Sequence, residues 1–283
     1  MYRYDSGKIP RIDDGYLYHF TTSQSLLKIV ENMTLKLSSF TLLNDLNEDD
    51  LNCERSGGID VIDIQNYIRD HCRLICFTQN YEQKGDFKCH CGCNHPRMWA
   101  QYAENNKGAC IVINEKKFLE RNKKDLEGKF YKIADVSYAS SIFNKHIKTH
   151  SDKSGFIQKN WDHLFFKKYI DWEHEHERRL FGINLPEILS INGCIEFICL
   201  GRRFSDENLF NLIHLLVSPK YKSYLQLTPH DFAMQLNSSG STETFGCASK
   251  ILESLQISNS DTSKYLEWLF KKGYDLPFKS SNM

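Results

Sequence analysis

The first well-patterned segment of the chain combines a strand, a helix and a second strand. Residues 16–37 have the sequence YLYHFTTSQSLLKIVENMTLKL. The apolar and aromatic residues 16–20 predict a strand, and Thr22 or Ser23 can cap a helix that ends near Asn32. Residues 34–37 predict the next strand. Similar strands and helices follow to about residue 216 without regular β-α-β alternation, so the sequence predicts an α+β fold.

The chain divides unequally into a long patterned part and a short remainder. Its length of 283 residues is compatible with one or two domains. We predict a main α+β domain over residues 1–236. The stretch NSSGSTET begins a predicted linker over residues 237–249, because small polar residues favour flexible chain. Residues 250–283 are expected to form a small helical tail.

Composition limits the kinds of partner. Lysine and arginine number 36, as do aspartate and glutamate, so the chain as a whole has no basic field that would collect nucleic acid or anionic membrane. No apolar run approaches the roughly 20 residues that span a bilayer, and the first residues lack the apolar core of a signal peptide. We therefore expect a cytoplasmic protein with no membrane partner.

The ten cysteines are scattered along a long chain, which is typical of reduced thiols rather than of a disulfide scaffold. The exception is the compact segment 89–95, with the sequence CHCGCNH. Cys89, Cys91, Cys93 and His95 are soft ligands, but structural zinc sites usually use C-x₂₋₄-C pairs that lie far apart. An unliganded loop is the favoured interpretation, and zinc remains the alternative.

The densest cluster of ionisable residues is segment 171–179, with the sequence DWEHEHERR. If the chain is extended from Glu173, then Glu173, Glu175 and Glu177 share one face. Carboxylates in one row repel, so we expect a cationic partner or a raised pKa among them. Such a group can act as a general base or can stabilise a cationic transition state. A solvated charged face is the structural alternative.

Three weaker candidates accompany this cluster. His19 and Thr21, at the end of the first strand, can hydrogen-bond the edge of a sugar. Trp99 and Tyr102 lie three residues apart on one predicted helix face and can stack on a nucleobase or nicotinamide ring. The acidic loop 44–50 offers oxygen ligands to a divalent cation, although its spacing differs from that of a calcium-binding EF-hand loop. Each has a purely structural alternative.

Taken together, the motifs resemble a widespread bacterial family of domains of unknown function. The resemblance covers about residues 16–215. Members of that family carry the motifs Y-x-Y/H, N-D-P-x-E, M-W-x-x-Y and W-x-x-E-x-E-x-R in that order. This chain carries Leu46 where the family has proline, and segment 89–95 is an insertion relative to that pattern.

A second and more distant resemblance is to ADP-ribosyltransferases. A strand with Y-H-F-T, a helix, and a strand with T-L-x-L-S-S is similar to the opening of those enzymes. The resemblance implies a split, mixed β-sheet surrounded by helices. It also implies that NAD is the substrate and that Glu177 is the catalytic carboxylate, with Glu175 orienting the acceptor or the ribose.

The same resemblance assigns roles at the cofactor site. His19 and Thr21 would hold the NAD ribose, and Trp99 or Tyr102 would stack on a ring. Arg179 would pair with the pyrophosphate or with the glutamate row. No metal would be required, since a fixed carboxylate can stabilise the oxocarbenium-like cation that forms when the nicotinamide–ribose bond breaks.

These implications lead to one expected function and two alternatives. We expect an NAD-dependent ADP-ribosyltransferase that modifies a nucleic acid or a protein, in a bacterial toxin or phage-defence setting, with an antitoxin or defence protein as partner. The first alternative is a metal-dependent nuclease that uses Asp45, Glu48, Glu175 and Glu177. The second is a non-catalytic sensor or scaffold in which the glutamates stabilise the fold.

Overall fold

The structure is a computed structural model that describes residues 15–40, 61–82, 89–90, 92–140, 152–217, 232–235 and 244–245. The α-helices in these residues are α1 Ser23–Asn32, α2 Val61–His71, α3 Pro96–Gln101, α4 Glu115–Arg121, α5 Lys123–Leu126, α6 Lys153–Phe165 and α7 Asp206–Val217. The strands are β1 Tyr16–Thr21, β2 Thr34–Lys36, β3 Cys72–Thr78, β4 Tyr81–Glu82, β5 Cys89–His90, β6 Ala109–Asn114, β7 Tyr131–Asp135, β8 Ser137–Ala139, β9 Lys167–Tyr169, β10 Glu177–Ile183, β11 Ile188–Ser190, β12 Ile195–Leu200, β13 Phe232–Gln235 and β14 Thr244–Phe245.

Eight of the described strands form one sheet, in the order β14-β13-β12-β6-β1-β3-β10-β7. Its strand pairs are antiparallel except for β12 and β13, which are parallel. Three two-stranded sheets, β11-β2, β4-β5 and β8-β9, accompany it. A mixed sheet with helices packed against it confirms the predicted α+β class.

Local signals explain the opening elements, whose prediction is confirmed. The Thr22 side chain accepts a hydrogen bond from the Ser25 backbone N–H at 3.1 Å and so caps α1. Met33, with φ 51°, ends the helix in the left-handed conformation. Leu26 and Val30 recur at helical spacing and are buried against the sheet.

Apolar side chains cover both faces of the sheet. One face packs on α1 and on Leu212 of α7. On the other face, Ile64 of α2 and Phe156 of α6 join one core cluster, and Trp99 of α3 belongs to a separate one. The sheet is therefore the middle layer, and its strand ends can present polar residues.

The sequence pattern also predicts that strands over residues 177–183 and 194–200 pair in a hairpin, that residues 154–169 form one helix, and that residues 130–138 form one strand. The structure corrects all three predictions. The predicted hairpin between residues 177–183 and 194–200 is wrong, because β10 pairs with β3 and β7 while β12 pairs with β6 and β13. The helix expected over residues 154–169 ends at Phe165, and β9 follows it. The strand expected over residues 130–138 is divided into β7 and β8.

The join between β1 and β3 is short. The two strands share a single register pair, Tyr18 with Thr78. Four residues earlier along β3, Leu74 exchanges two backbone hydrogen bonds with Ser38, at 2.8 and 2.9 Å, in an isolated bridge. β1 and the segment around Ser38 therefore separate at this edge of β3 and leave a cleft between them.

Most of the chain beyond α7 lies outside the described residues. Thr244 and Phe245, within the predicted linker, pair with β13. The rest of that linker and the predicted tail fall outside, as does acidic loop 44–50, so these stay predictions. Among the residues that the structure describes, no helix is both long enough and apolar enough to cross a bilayer.

Candidate functional site

A cavity of about 210 Å³ lies where β1 and β3 separate. Its wall is built from β1, β3, β10, the residues at the end of β2, and the segments that carry α3 and β9. The lining residues used below are His19, Lys36, Cys76, Thr78, Tyr102, Lys168, Glu175, Glu177 and Arg179. The first strand and the late glutamates, which are far apart in sequence, thus meet in one cleft.

The floor of the cleft is a buried ion-pair network centred on Glu177. Arg179, two residues along the same strand, donates to both carboxylate oxygens, from Nε at 2.6 Å and from Nη2 at 2.9 Å. Lys168 Nζ donates to Oε2 of Glu177 at 3.2 Å. Arg179 also donates to the Phe165 carbonyl at 2.7 Å. The carboxylate is therefore held in one orientation by charge-assisted hydrogen bonds.

Glu175 belongs to the same network through different partners. Its Oε2 accepts a hydrogen bond from Lys168 Nζ at 2.7 Å, and its Oε1 accepts one from the Tyr102 hydroxyl at 2.6 Å. The ring of Trp172 lies 4.6 Å from the Lys168 ammonium and covers it. Lys168 thus bridges both glutamates.

These neighbours fix the protonation state of Glu177. Burial alone would raise the pKa of this carboxyl, but Arg179 and Lys168 outweigh that effect and lower its pKa to about 2. The Cys76 thiol adds a hydrogen bond that acts in the same direction. Glu177 is consequently ionised throughout the physiological pH range.

The predicted glutamate row has a different geometry. Residues Ile170–Glu175 form a 3₁₀ helix, His176 turns the chain in the left-handed conformation with φ 45°, and the strand begins at Glu177. The alternation expected from Glu173 onward is therefore wrong. Glu175 and Glu177 still converge, because the turn at His176 directs both towards Lys168. The cationic partner that like-charge repulsion predicted is present.

His19 lies on the β1 side of the cleft. Its Nδ1 is 3.4 Å from the Cys76 carbonyl oxygen on β3 and donates to it across the gap between the strands. Burial lowers the pKa of His19, and this hydrogen bond opposes the shift in part. His19 is thus a neutral imidazole near pH 7. In the strand order, β3 lies between β1, which carries His19, and β10, which carries Glu177.

Among the described residues that line the cleft, Thr78 has a buried side-chain oxygen without a hydrogen-bond partner. Thr78 is 1% exposed, and its hydroxyl has no hydrogen-bond partner among the described residues. It lies directly opposite Glu177 in the β3–β10 register. A buried hydroxyl without a partner costs free energy, and a ligand group that reached this atom would remove that cost by forming a hydrogen bond.

Two of the residues predicted for the cofactor site lie away from the cleft. Trp99 is completely buried, its indole N–H donates to the Cys93 carbonyl at 2.7 Å, and its ring packs edge-on against Phe20. Thr21 is buried at the end of β1, opposite Ala109. Neither lines the cavity. Of the aromatic pair, Tyr102 is the member at the cleft. Arg179 pairs with Glu177, which is one of its two predicted partners.

Several lining residues were missed from the sequence. Lys168 gave no signal, because lysines are common on surfaces and its burial follows from the packing of β9. Thr78 and Cys76 lie in an apolar strand pattern that indicates only a core. Tyr138 was also missed. Its hydroxyl accepts a hydrogen bond from the Glu177 backbone N–H at 2.9 Å and fixes the start of β10.

The cysteine-rich segment packs near the turn at His176, and none of its described residues lines the cavity. β5 pairs with β4, and the ring of Tyr81 stacks on His176 at 4.3 Å and lies 5.2 Å from the buried His95. Among the described residues, no group of three or more histidine, cysteine or acidic side chains is arranged to hold a metal ion. The side chains of Cys89 and Cys91 are not described, so zinc in this segment stays a prediction.

Comparison with known proteins gives one match. No curated protein and no solved structure matches the chain. Residues 98–180, which run from α3 to the middle of β10, match a family that is described as a protein of unknown function (DUF2971). This finding confirms the resemblance to a family of unknown function over residues 98–180, and the resemblance over the rest of residues 16–215 stays a prediction.

Proposed function

We propose that the cleft binds NAD and that the protein is an ADP-ribosyltransferase-like enzyme that modifies a nucleic acid or a protein. The observation that carries this proposal is the meeting of His19 and Glu177 in one cavity, on strands that are distant in sequence. The ADP-ribosyltransferase resemblance requires these two residues to act on a single ligand.

The chemistry that we propose depends on an ionised, immobile carboxylate. The bond between the nicotinamide nitrogen and the ribose C1′ breaks, and its electron pair leaves with the nicotinamide. The ribose carbon then carries positive charge, which Glu177 stabilises. A nucleophilic O–H or N–H group of the acceptor attacks this carbon, and its proton passes to solvent. Because Arg179 and Lys168 fix Glu177 in advance, the carboxylate does not reorganise during the step.

The size and charge of the cleft suggest how the ligand lies. A cavity of about 210 Å³ is smaller than the roughly 300–1,000 Å³ of typical ligand sites. It therefore takes the nicotinamide and its ribose, and the rest of the dinucleotide extends past the cavity mouth. Lys36 lies at that mouth, is exposed and makes no ion pair with the described residues, so it can face the phosphates.

The test is transfer of label from NAD to candidate acceptors. Wild-type protein should attach the ADP-ribose part to a protein or nucleic-acid acceptor, and Glu177→Gln should lower the rate by at least about 100-fold. Glu115→Gln is the matched control, because Glu115 pairs with the neighbouring Arg178 away from the cleft. Equal activity in wild type and Glu177→Gln, or no use of NAD by wild type, would contradict the proposal.

A second function, the non-catalytic sensor or scaffold, is favoured by one observation. Both oxygens of Glu177 are already bonded to cations, as in a network that only stabilises the fold. Under this function Glu177→Gln lowers the stability of the protein, and there is no NAD turnover for the substitution to remove.

The nuclease alternative is less favoured, because the Lys168 ammonium occupies the space between Glu175 and Glu177 where a divalent cation would bind. Asp45 and Glu48 lie outside the described residues.

The setting is part of the proposal. If the enzyme is a toxin or phage-defence effector, expression of wild type in bacteria should stop growth, and Glu177→Gln should not. A neutralising antitoxin or defence protein would then be the expected partner.

A further inference from the structure

One cysteine differs from the others that the structure describes. Cys76 is half-buried and lines the cleft, whereas Cys72, Cys93, Cys110, Cys194 and Cys199 are buried. None of the six is disulfide-bonded. Among these described cysteines, the cleft therefore gives Cys76 access to small molecules in solution that the other five lack.

Burial makes two of the other thiols less reactive. It raises the pKa of Cys72 to about 12 and the pKa of Cys194 to about 11. A thiol must lose its proton to react as a nucleophile, so both sulfurs react slowly at neutral pH. Cys72 begins the same strand that carries Cys76 and is thus a natural internal control.

The surroundings of Cys76 combine cations with an unpartnered hydroxyl. Arg179 lies directly opposite Cys76 in the β3–β10 register, so the two side chains are cross-strand neighbours. Lys168 lies in the same network, and Glu177 accepts a hydrogen bond from the thiol. Thr78, two residues along the same face of β3, directs its partnerless hydroxyl into the same cavity. A group attached to Cys76 would find a hydrogen-bonding partner there.

We propose that Cys76 is a modification site in the cleft that forms a mixed disulfide with a low-molecular-weight disulfide such as oxidised glutathione, and that the adduct blocks NAD from entering. The thiol, which donates a hydrogen bond to Glu177 before the reaction, releases its proton to solvent. The sulfur attacks one sulfur of the small disulfide, a new S–S bond forms, the old one breaks, and a small thiolate leaves. The loss of activity rests on the proposed function, whereas formation of the adduct does not.

The experiment treats native full-length protein with oxidised glutathione and maps the adducts by peptide mass spectrometry. We expect Cys76 to be modified at least about 10-fold faster than Cys72, and NAD to slow the modification by a similar factor. Dithiothreitol should restore NAD turnover. In Cys76→Ser, turnover should be the same with and without oxidised glutathione, while Cys72→Ser should remain sensitive.

Two results would overturn the inference. The first is an unmodified Cys76, or modification of Cys76 and Cys72 at equal rates, which indicates access through unfolding rather than through the cleft. The second is an active wild type that keeps its full NAD turnover after Cys76 is modified. If Cys76 is modified selectively in a protein that never uses NAD, the modification site stands and the proposed NAD chemistry fails.

Discussion

At the scale of single residues, the central feature is a carboxylate that is held ionised inside the protein. The folded pKa of Glu177, about 2, lies below the value of 4.5 for an unperturbed glutamate. A lowered folded pKa contributes stability that is present above about pH 4.5 and is lost as the pH falls towards 2. The shift corresponds to about 3 kcal/mol.

We therefore predict that Glu177→Gln changes how the free energy of unfolding falls with pH in acid solution. Wild-type protein should lose free energy of unfolding between about pH 5 and 2, and the variant should lose less over the same range. At pH 7 the variant should be less stable by about 3–5 kcal/mol, because Arg179 and Lys168 lose a buried counter-charge. Urea unfolding at a series of pH values measures both effects.

The control is Glu115→Gln. Because the partner of Glu115, Arg178, is partly exposed, this substitution should lower the free energy of unfolding by less than Glu177→Gln does. If the free energy of unfolding fell with pH equally in wild type and Glu177→Gln, the network would not be what keeps Glu177 ionised.

For Thr78 we predict a substitution that raises the free energy of unfolding, whereas Glu177→Gln lowers it. Because its hydroxyl is buried without a partner, Thr78→Val should raise the free energy of unfolding of the unliganded protein by about 1 kcal/mol. Thr22→Val is the matched control and should lose about 1 kcal/mol, since it removes the cap of α1. Chemical denaturation compares the two. A marked loss of stability in Thr78→Val would mean that the hydroxyl is bonded in the folded protein.

At the scale of elements, the site depends on how β1 is held beside β6 while it separates from β3. Gly108, just before β6, lies against the end of β1 so closely that an added Cβ would overlap the Thr21 carbonyl oxygen and approach Ala103 to 3.1 Å. Both neighbours are backbone, and the Thr21 carbonyl cannot move without displacing β1, the strand that carries His19.

Gly108→Ala should accordingly cost about 2 kcal/mol or more and should weaken NAD binding. Gly128→Ala is the comparison, because Gly128 has φ +71° with open space around it and should cost about 1 kcal/mol through backbone strain alone. Thermal unfolding and NAD titration of both variants provide the measurement. Equal stability of Gly108→Ala and wild type would refute the close approach.

Elements defined by local signals could be predicted from the sequence, and pairings between distant strands could not. The Thr22 cap and the spacing of Leu26 and Val30 specify α1 without reference to the rest of the chain. The partners of β10 depend on β3 and β7, which are far away in sequence, and the pattern of β10 itself suggested a hairpin instead.

The site divides in the same way. Glu177 was predicted from the carboxylate row and His19 from its place at the end of the first strand, and both from the ADP-ribosyltransferase resemblance. Lys168 was missed because its burial is a consequence of tertiary packing. Trp99 was predicted to contact the ligand because it shares a helix face with Tyr102. The sequence of a helix does not show whether that face packs against a cavity or against the core, and Trp99 packs in the core.

At the scale of the whole molecule, chains that are truncated near the last strands of the sheet can test the predicted division into domains. β13 and β14 extend the sheet beyond β12. A chain that ends at residue 249 should keep the thermal stability of the full protein, since it loses only the predicted tail. A chain that ends at residue 217 exposes the edge of β12, and it should unfold at lower temperature and aggregate. Equal melting of all three chains would show that β13 adds nothing to stability.

The most direct test of the central claim is the release of free nicotinamide from NAD, followed by proton NMR over time. Wild type should release nicotinamide, with or without an added acceptor because water can take the acceptor's place, and Glu177→Gln should release at least about 100-fold less while Glu115→Gln retains the wild-type rate. The proposed NAD chemistry would be contradicted by a wild-type protein that releases none and binds no NAD at millimolar concentration.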